Sequence, residues 1–129
     1  MPQFPTGNET VLMVDDEDTI LDIGASILER FGYKTIVARS GEEAVGLFRD
    51  SKTTVDLVIL DLTMPGMGGQ KCLETLLDEN PGLKVIITSG MATDETARKA
   101  MASGAAGFIA KPFQLADILG KVRTALDTA

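Results

Sequence analysis

Short runs of β-branched and aliphatic residues recur along the chain, each followed by a longer stretch with helical spacing. The runs are Val11–Val14, Thr35–Ala38, Val55–Leu60, Val85–Ile87 and Phe108–Ala110. They read as strands buried on both faces, because they are apolar without interruption rather than alternating with polar residues. Strand–helix alternation with connections of this length implies a parallel sheet covered by helices on both sides. The expected class is α/β, a doubly wound, five-stranded parallel sheet built from repeated strand–helix units.

The intervening segments carry their own signals. A first helix is predicted from Asp18, a good N-cap, with Ile20, Ile23, Ile27 and Phe31 as its apolar stripe and Gly32 ending it. Ser40 and Glu43 have capping-box spacing for a second helix that turns Ala44, Leu47 and Phe48 inward. A third is expected from about Gly69 to Asn80, burying Leu73, Leu76 and Leu77 and stopping before Pro81. The fourth, about Thr93 to Ser103, offers only Ala97, Ala100 and Met101 as its apolar side, so it is expected to be the least firmly held. The fifth carries Leu115, Ile118, Leu119, Val122 and Leu126, after which no residues remain for an output domain. Residues 1–9 show no periodicity and contain Pro2, Pro5 and Gly7, so they read as a flexible leader to one domain over residues 10–129.

Composition narrows the chemistry. At 129 residues the chain has room for one domain of ordinary size, and a hydrophobic content of 44% supports a packed core. A net charge of −7, with no dense basic patch, argues against a nucleic-acid-binding surface. Histidine is absent, which excludes Ser-His-Asp and Cys-His nucleophile systems, His-ligated zinc and a phosphohistidine on this chain. Cys72 is the single cysteine and cannot form an intrachain disulfide, which fits a reducing, cytoplasmic compartment. No apolar run reaches transmembrane length, and no signal-peptide pattern is visible.

Polar residues collect where the apolar runs end. Val14 leads into Asp15, Asp16 and Glu17; Leu60 into Asp61; Ile87 into Thr88 and Ser89; Ala110 into Lys111. In a parallel sheet these ends share one edge, and ligands bind in the crevice outside it, where the strand order switches. Each residue alone has a plain explanation: an Asp after a strand caps the next helix, a serine makes a turn, a lysine lies on the surface. Together they amount to three carboxylates, a hydroxyl and an ammonium in one crevice. Converging carboxylates repel one another unless a cation is present, and Mg²⁺ suits a few carboxylates together with water and phosphate oxygens. Of Thr88 and Ser89 only one can face the crevice, since neighbours on a strand point to opposite faces.

These residues give the chain a recognisable outline. Over roughly Glu9 to Ala129 it resembles the receiver domain of two-component response regulators. The resemblance rests on Val14-Asp15-Asp16-Glu17, on Leu60-Asp61-Leu62-Thr63-Met64-Pro65-Gly66-Met67-Gly68-Gly69, on Thr88-Ser89-Gly90, on Gly104-Ala105-Ala106-Gly107-Phe108 and on Lys111-Pro112-Phe113. It implies a flavodoxin-like sheet of order 2-1-3-4-5. It implies that Asp61 is the phosphoacceptor, a carboxylate nucleophile forming an acyl phosphate. Asp16 and Asp61 would ligate Mg²⁺ with the backbone carbonyl of Thr63, and Asp15 would hold a metal-bound water. Lys111 would pair with one phosphoryl oxygen and Ser89, at the family's spacing from Lys111, would hydrogen-bond another. A cis peptide is expected at Lys111-Pro112.

The resemblance also implies a switch. Phe108 occupies the family's switch-aromatic position, turning inward as Ser89 moves toward the phosphate and altering the surface of the fourth helix, fifth strand and fifth helix. Thr63 and Met91 stand where the family tunes phosphate lifetime. Neither offers an amide or carboxylate to orient water, so slow autodephosphorylation is expected. Gly66, Met67, Gly68 and Gly69 either shape donor docking or simply lead into the third helix. The implied donor is a histidine kinase or histidine phosphotransfer protein, and the implied recipient is a downstream protein target, with no nucleic acid and no membrane insertion.

Rival readings are weaker. An aspartate-nucleophile phosphatase of the haloacid dehalogenase type needs a carboxylate two residues after the nucleophile, where this chain has Thr63. A flavodoxin-like nucleotide or flavin binder needs a phosphate-binding loop after the first strand, and Asp15-Asp16-Glu17-Asp18 would repel phosphate without a metal. A degenerate receiver serving only as an interaction module would not need the full acidic, hydroxyl and lysine set. The expected protein is thus a signalling switch, not an enzyme beyond its own phosphorylation and dephosphorylation.

Overall fold

The computed structural model describes residues 4–51, 54–64, 66, 68–90 and 94–128. Among them strands and helices alternate: β1 (Thr10–Val14), α1 (Asp18–Arg30), β2 (Lys34–Ala38), α2 (Gly41–Ser51), β3 (Leu57–Asp61), α3 (Gly69–Glu79), β4 (Lys84–Ser89), α4 (Asp94–Ala102), β5 (Gly107–Ala110) and α5 (Leu115–Asp127). The strands form one parallel sheet of order β2-β1-β3-β4-β5. The chain steps from β1 to β2 in one direction and then crosses back past β1 to β3, so the switch point lies between β1 and β3.

The central strands β1, β3 and β4 are largely apolar because both faces are covered, whereas the edge strands β2 and β5, expected to be buried on both faces, are only partly so. On one face Leu12, Val14, Val58, Leu60, Val85 and Ile87 pack against Phe48 of α2, Leu73 and Leu76 of α3, and Ala100 of α4. On the other, Val11, Met13, Leu57, Ile59, Ile86 and Ile109 meet Leu21 and Leu28 of α1 and Ile118, Leu119 and Val122 of α5. Burying a large aliphatic side chain contributes about 1.5–3 kcal/mol relative to leaving it exposed, so these two layers supply most of the drive to fold.

Several helix details differ from expectation. The N-cap of α1 is Glu17 rather than Asp18, and its buried row is Leu21, Gly24 and Leu28. Ile23 is 45% exposed, while Ile27 and Phe31 are only partly buried against the core. The two rows share the same three-and-four spacing, so periodicity cannot choose between them; close approach does. A Cβ on Gly24 would lie inside the Met13 thioether, so α1 presses onto β1 through the row that contains the glycine. On α2, Glu43 N–H donates to Ser40 Oγ at 3.0 Å, but the Glu43 carboxylate accepts from Arg39 N–H at 3.4 Å instead of closing the box on Ser40. Val45 is buried there and Leu47 only partly so. Met101 is 45% exposed, leaving Ala100 as the buried anchor of α4; the Ala97 side chain lies outside what is described.

Two further contacts position the site. A Cβ on Gly69 would overlap the Asp61 carbonyl oxygen, so α3 begins directly against the end of β3. Residues 4–9 lie against the α1–β2 turn, where Gly7 N–H donates to Phe31 O at 3.1 Å. None of the described helices is long and apolar enough to cross a membrane.

Candidate functional site

The carboxyl ends of β1, β3, β4 and β5 bring Asp15, Asp61, Ser89 and Lys111 to one edge. Register explains the convergence: Asp61 lies opposite Thr88 and Ser89 opposite Ala110, the residue before Lys111. Asp15, Asp61, Thr88 and Ser89 are all at most 3% exposed, whereas Asp16 faces solvent. Asp16, Glu17, Ile20, Asp61, Thr63, Gly90, Lys111 and Pro112 line an open cleft of about 420 Å³ beside them. The Lys111–Pro112 peptide is cis.

The buried charges are arranged around the Lys111 ammonium. Its Nζ lies 2.6 Å from Asp15 Oδ2 and 3.3 Å from Asp61 Oδ2. The other oxygen of each carboxylate is held by its own loop. Asp15 Oδ1 accepts from Glu17 N–H at 2.9 Å. Asp61 Oδ1 accepts from Thr63 N–H at 3.0 Å and from the Thr63 hydroxyl at 3.1 Å. Asp15 Oδ2 is fully buried and has no aligned hydrogen bond, so its only described partner is the ionic contact with Lys111.

Burial pushes the Asp15 carboxyl above its ordinary range, against the pull of Lys111 and the Glu17 N–H. For Lys111 burial works against the charge, but contact with Asp15 and the field of Asp61 outweigh it and raise its pKa. One ammonium therefore serves several acidic groups. Asp15, Asp16 and Asp61 can each offer an oxygen within 4.8 Å of the others. Three converging carboxylates, two of them buried and one open to water, fit a hard divalent cation with oxygen ligands. Asp15, Asp16 and Asp61 could hold such an ion.

Other expected site residues fall around this centre. Lys111 N–H donates to Ser89 O at 3.2 Å, tying the ends of β4 and β5 together. Phe108 is half-buried on β5 against the core, and its carbonyl accepts from Lys121 Nζ of α5 at 2.7 Å. Gly66 and Gly68 lie in the loop after Asp61 with positive φ, and Gly69 opens α3. Met67 and Met91 lie outside the described residues. Two features escaped sequence reasoning. Ile20 lines the cleft although its spacing suggested a core position, and the Thr63 hydroxyl bonds the Asp61 carboxylate. A threonine two residues after an aspartate at a strand end is the signal that could have revealed the second, since such pairs close local side-chain turns.

Comparison with known proteins agrees with this geometry. The family model described as the response regulator receiver domain matches residues 11–123. The sensor kinase CckA of Brucella abortus is 37% identical over 95% of this chain, which spans 13% of that kinase. The chemotaxis protein CheY of Treponema pallidum is 33% identical, with 90% of this chain and 81% of that protein aligned. Among solved structures, the CheX–CheY–BeF₃–Mg²⁺ complex from Borrelia burgdorferi superposes with a TM-score of 0.89 at 30% identity, covering 93% of this chain and 90% of the matched one. The chain spans 13–49% of the length of several longer curated relatives. With the sheet order, the acidic edge and the family match in agreement, the chain belongs to the response regulator receiver domains of two-component systems.

Proposed function

We propose that Asp61 accepts a phosphoryl group from a phosphohistidine on a sensor kinase or histidine phosphotransfer protein, in a Mg²⁺-dependent reaction, and that the phosphorylated state changes affinity for a downstream protein. The observation that carries this reading is the meeting of Asp15, Asp16, Asp61 and Lys111 from three strand ends, three carboxylates around one ammonium. The donor is a separate protein or domain, because this chain has no histidine. The Borrelia relative was solved with BeF₃ and Mg²⁺, which supports the same chemistry here.

In this reading Asp61 attacks phosphorus, a P–O bond forms, and the P–N bond to the donor imidazole breaks. Bound Mg²⁺ would neutralise charge on the phosphoryl oxygens. Asp16, Asp61 and the Thr63 carbonyl are its proposed ligands, with Asp15 holding a metal-bound water. Lys111 exchanges its contact with the carboxylates for one phosphoryl oxygen, and the Ser89 hydroxyl takes another. Movement of Ser89 draws Phe108 inward and alters the face formed by α4, β5 and α5. Thr63 and Met91 give water no general base, so the acyl phosphate decays slowly. The domain works in the cytoplasm and turns over no external substrate.

Intact mass after incubation with acetyl phosphate, with and without Mg²⁺, tests the reading on the wild type and Asp61→Asn. One phosphoryl adduct that needs Mg²⁺ and disappears in the variant is expected. An adduct that persists in Asp61→Asn would assign the acceptor elsewhere. No adduct, together with no binding of Mg²⁺ or beryllofluoride, would make the chain a receiver-shaped interaction module.

A further inference from the structure

The segment before β1 is fastened at two places, the end of α1 and the Arg123 side chain of α5. The Phe4 ring meets the Phe31 ring edge-on, with centroids 5.8 Å apart, at the end of α1. Gly7 N–H donates to Phe31 O, and a Cβ on Gly32, at φ +104°, would overlap the Gly7 carbonyl oxygen. A side chain on Gly7 would itself strike Tyr33 Cε1 at 2.5 Å and Arg123 Nη1 at 2.6 Å. Both glycines are thus required by a backbone that passes close to the α1–β2 turn and to α5.

Arg123 of α5 gathers the rest. Its Nη1 donates to Thr6 O at 3.2 Å, Glu9 Oε1 at 3.1 Å and Tyr33 Oη at 3.4 Å. Its Nη2 donates to Glu9 Oε2 at 2.6 Å and Asp127 Oδ1 at 2.8 Å, and its Nε also faces Asp127. A planar guanidinium suits this fan of acceptors, since its donors are fixed in one fork. The Arg123 contact holds the Glu9 carboxyl below its usual range. Arg123 and Glu9 are 23% and 25% exposed, so water is at hand to replace each partner when the contact opens.

We propose that residues 4–9 form a latch that holds the C-terminal half of α5 against the domain, with Arg123 as its fastening. Residues 4–8 belong to no strand or helix, so loss of the Glu9–Arg123 contact removes the main tie between this segment and α5. That helix forms one wall of a groove of about 580 Å³ that also includes Met101, Ala106, Gly107 and Phe108. The latch therefore sets how firmly that wall is held. The proposal stands apart from the phosphoryl chemistry.

Hydrogen exchange read by mass spectrometry on the full chain tests it, using wild type, Glu9→Ala, Arg123→Met and Asp127→Ala. Glu9→Ala removes the carboxylate tie from the segment before β1 to Arg123, whereas Asp127→Ala removes only the pair within α5. A latch predicts about tenfold faster exchange over Val122–Asp127 in Glu9→Ala and Arg123→Met, with β1 and β3 unchanged and Asp127→Ala like wild type. Should Arg123→Met fail to fold, Glu9→Ala alone decides the matter. Wild-type exchange of α5 in Glu9→Ala, equal loosening in Asp127→Ala, or uniform loosening of the whole sheet would each overturn the proposal.

Discussion

Lys111 holds two buried carboxylates together, and its removal would leave both without a described cation. Replacing it with Met should lower stability by about 2–3 kcal/mol in EDTA, less than for a fully enclosed pair because the cleft is open to water. Mg²⁺ should restore part of this loss, and urea unfolding with and without the metal checks both halves. Cys72 offers a second case. Burial, helped by the charge of Glu42, pushes its thiol up to about 12 from an ordinary value of 9.0. The fold therefore favours the neutral thiol, while the unfolded chain ionises first. The associated stability is intact below pH 9.0 and falls as pH rises from there toward about 12. The stability advantage of wild type over Cys72→Ala should shrink by about 1.4 kcal/mol per pH unit in that window. Denaturant midpoints at three alkaline pH values would show it, and a constant gap would refute it. The site aspartates and lysine could be read from the sequence because each ends an apolar run. The Thr63 hydroxyl could not be placed that way, since its role depends on the angle of the loop.

At the scale of single elements, α1 marks the limit of pattern reading. Ile20, Ile23, Ile27 and Phe31 make as good a stripe as Leu21, Gly24 and Leu28, and only the packing distance to Met13 selects the second. Gly24→Ala should cost about 1–3 kcal/mol by overpacking against Met13. Ile23→Ala, on the exposed side, should stay within about 0.5 kcal/mol. Urea melts of the two variants would separate the rows, and the opposite ranking would mean that α1 sits rotated about its axis. The same limit explains Met101, whose apolar character suggested burial although Ala100 already fills the space against the sheet. The central strands β1, β3 and β4 were easier to read, because burial on both faces leaves no choice of side.

For the whole molecule, the apolar runs announce a parallel sheet but not its order. The crossing from β2 past β1 to β3 is a long-range choice that no local pattern records, and it entered through the family resemblance. That crossing assembles the site from strands far apart in sequence, so the site should have no stability of its own. Mg²⁺-dependent labelling by acetyl phosphate is expected to vanish at the same urea midpoint as the helical circular dichroism signal. Labelling lost at markedly lower urea would mean that the edge opens before the sheet.

Lys111 comes from the last strand, after every carboxylate of the cluster is already in place along the chain. A copy still on the ribosome, or one clipped before β5, carries the acidic residues without the ammonium that sits among them. Such a fragment leaves the Asp15 and Asp61 carboxylates together without the Lys111 ammonium. The charge of the acidic edge is thus balanced by a strand that follows all of its carboxylates in the chain.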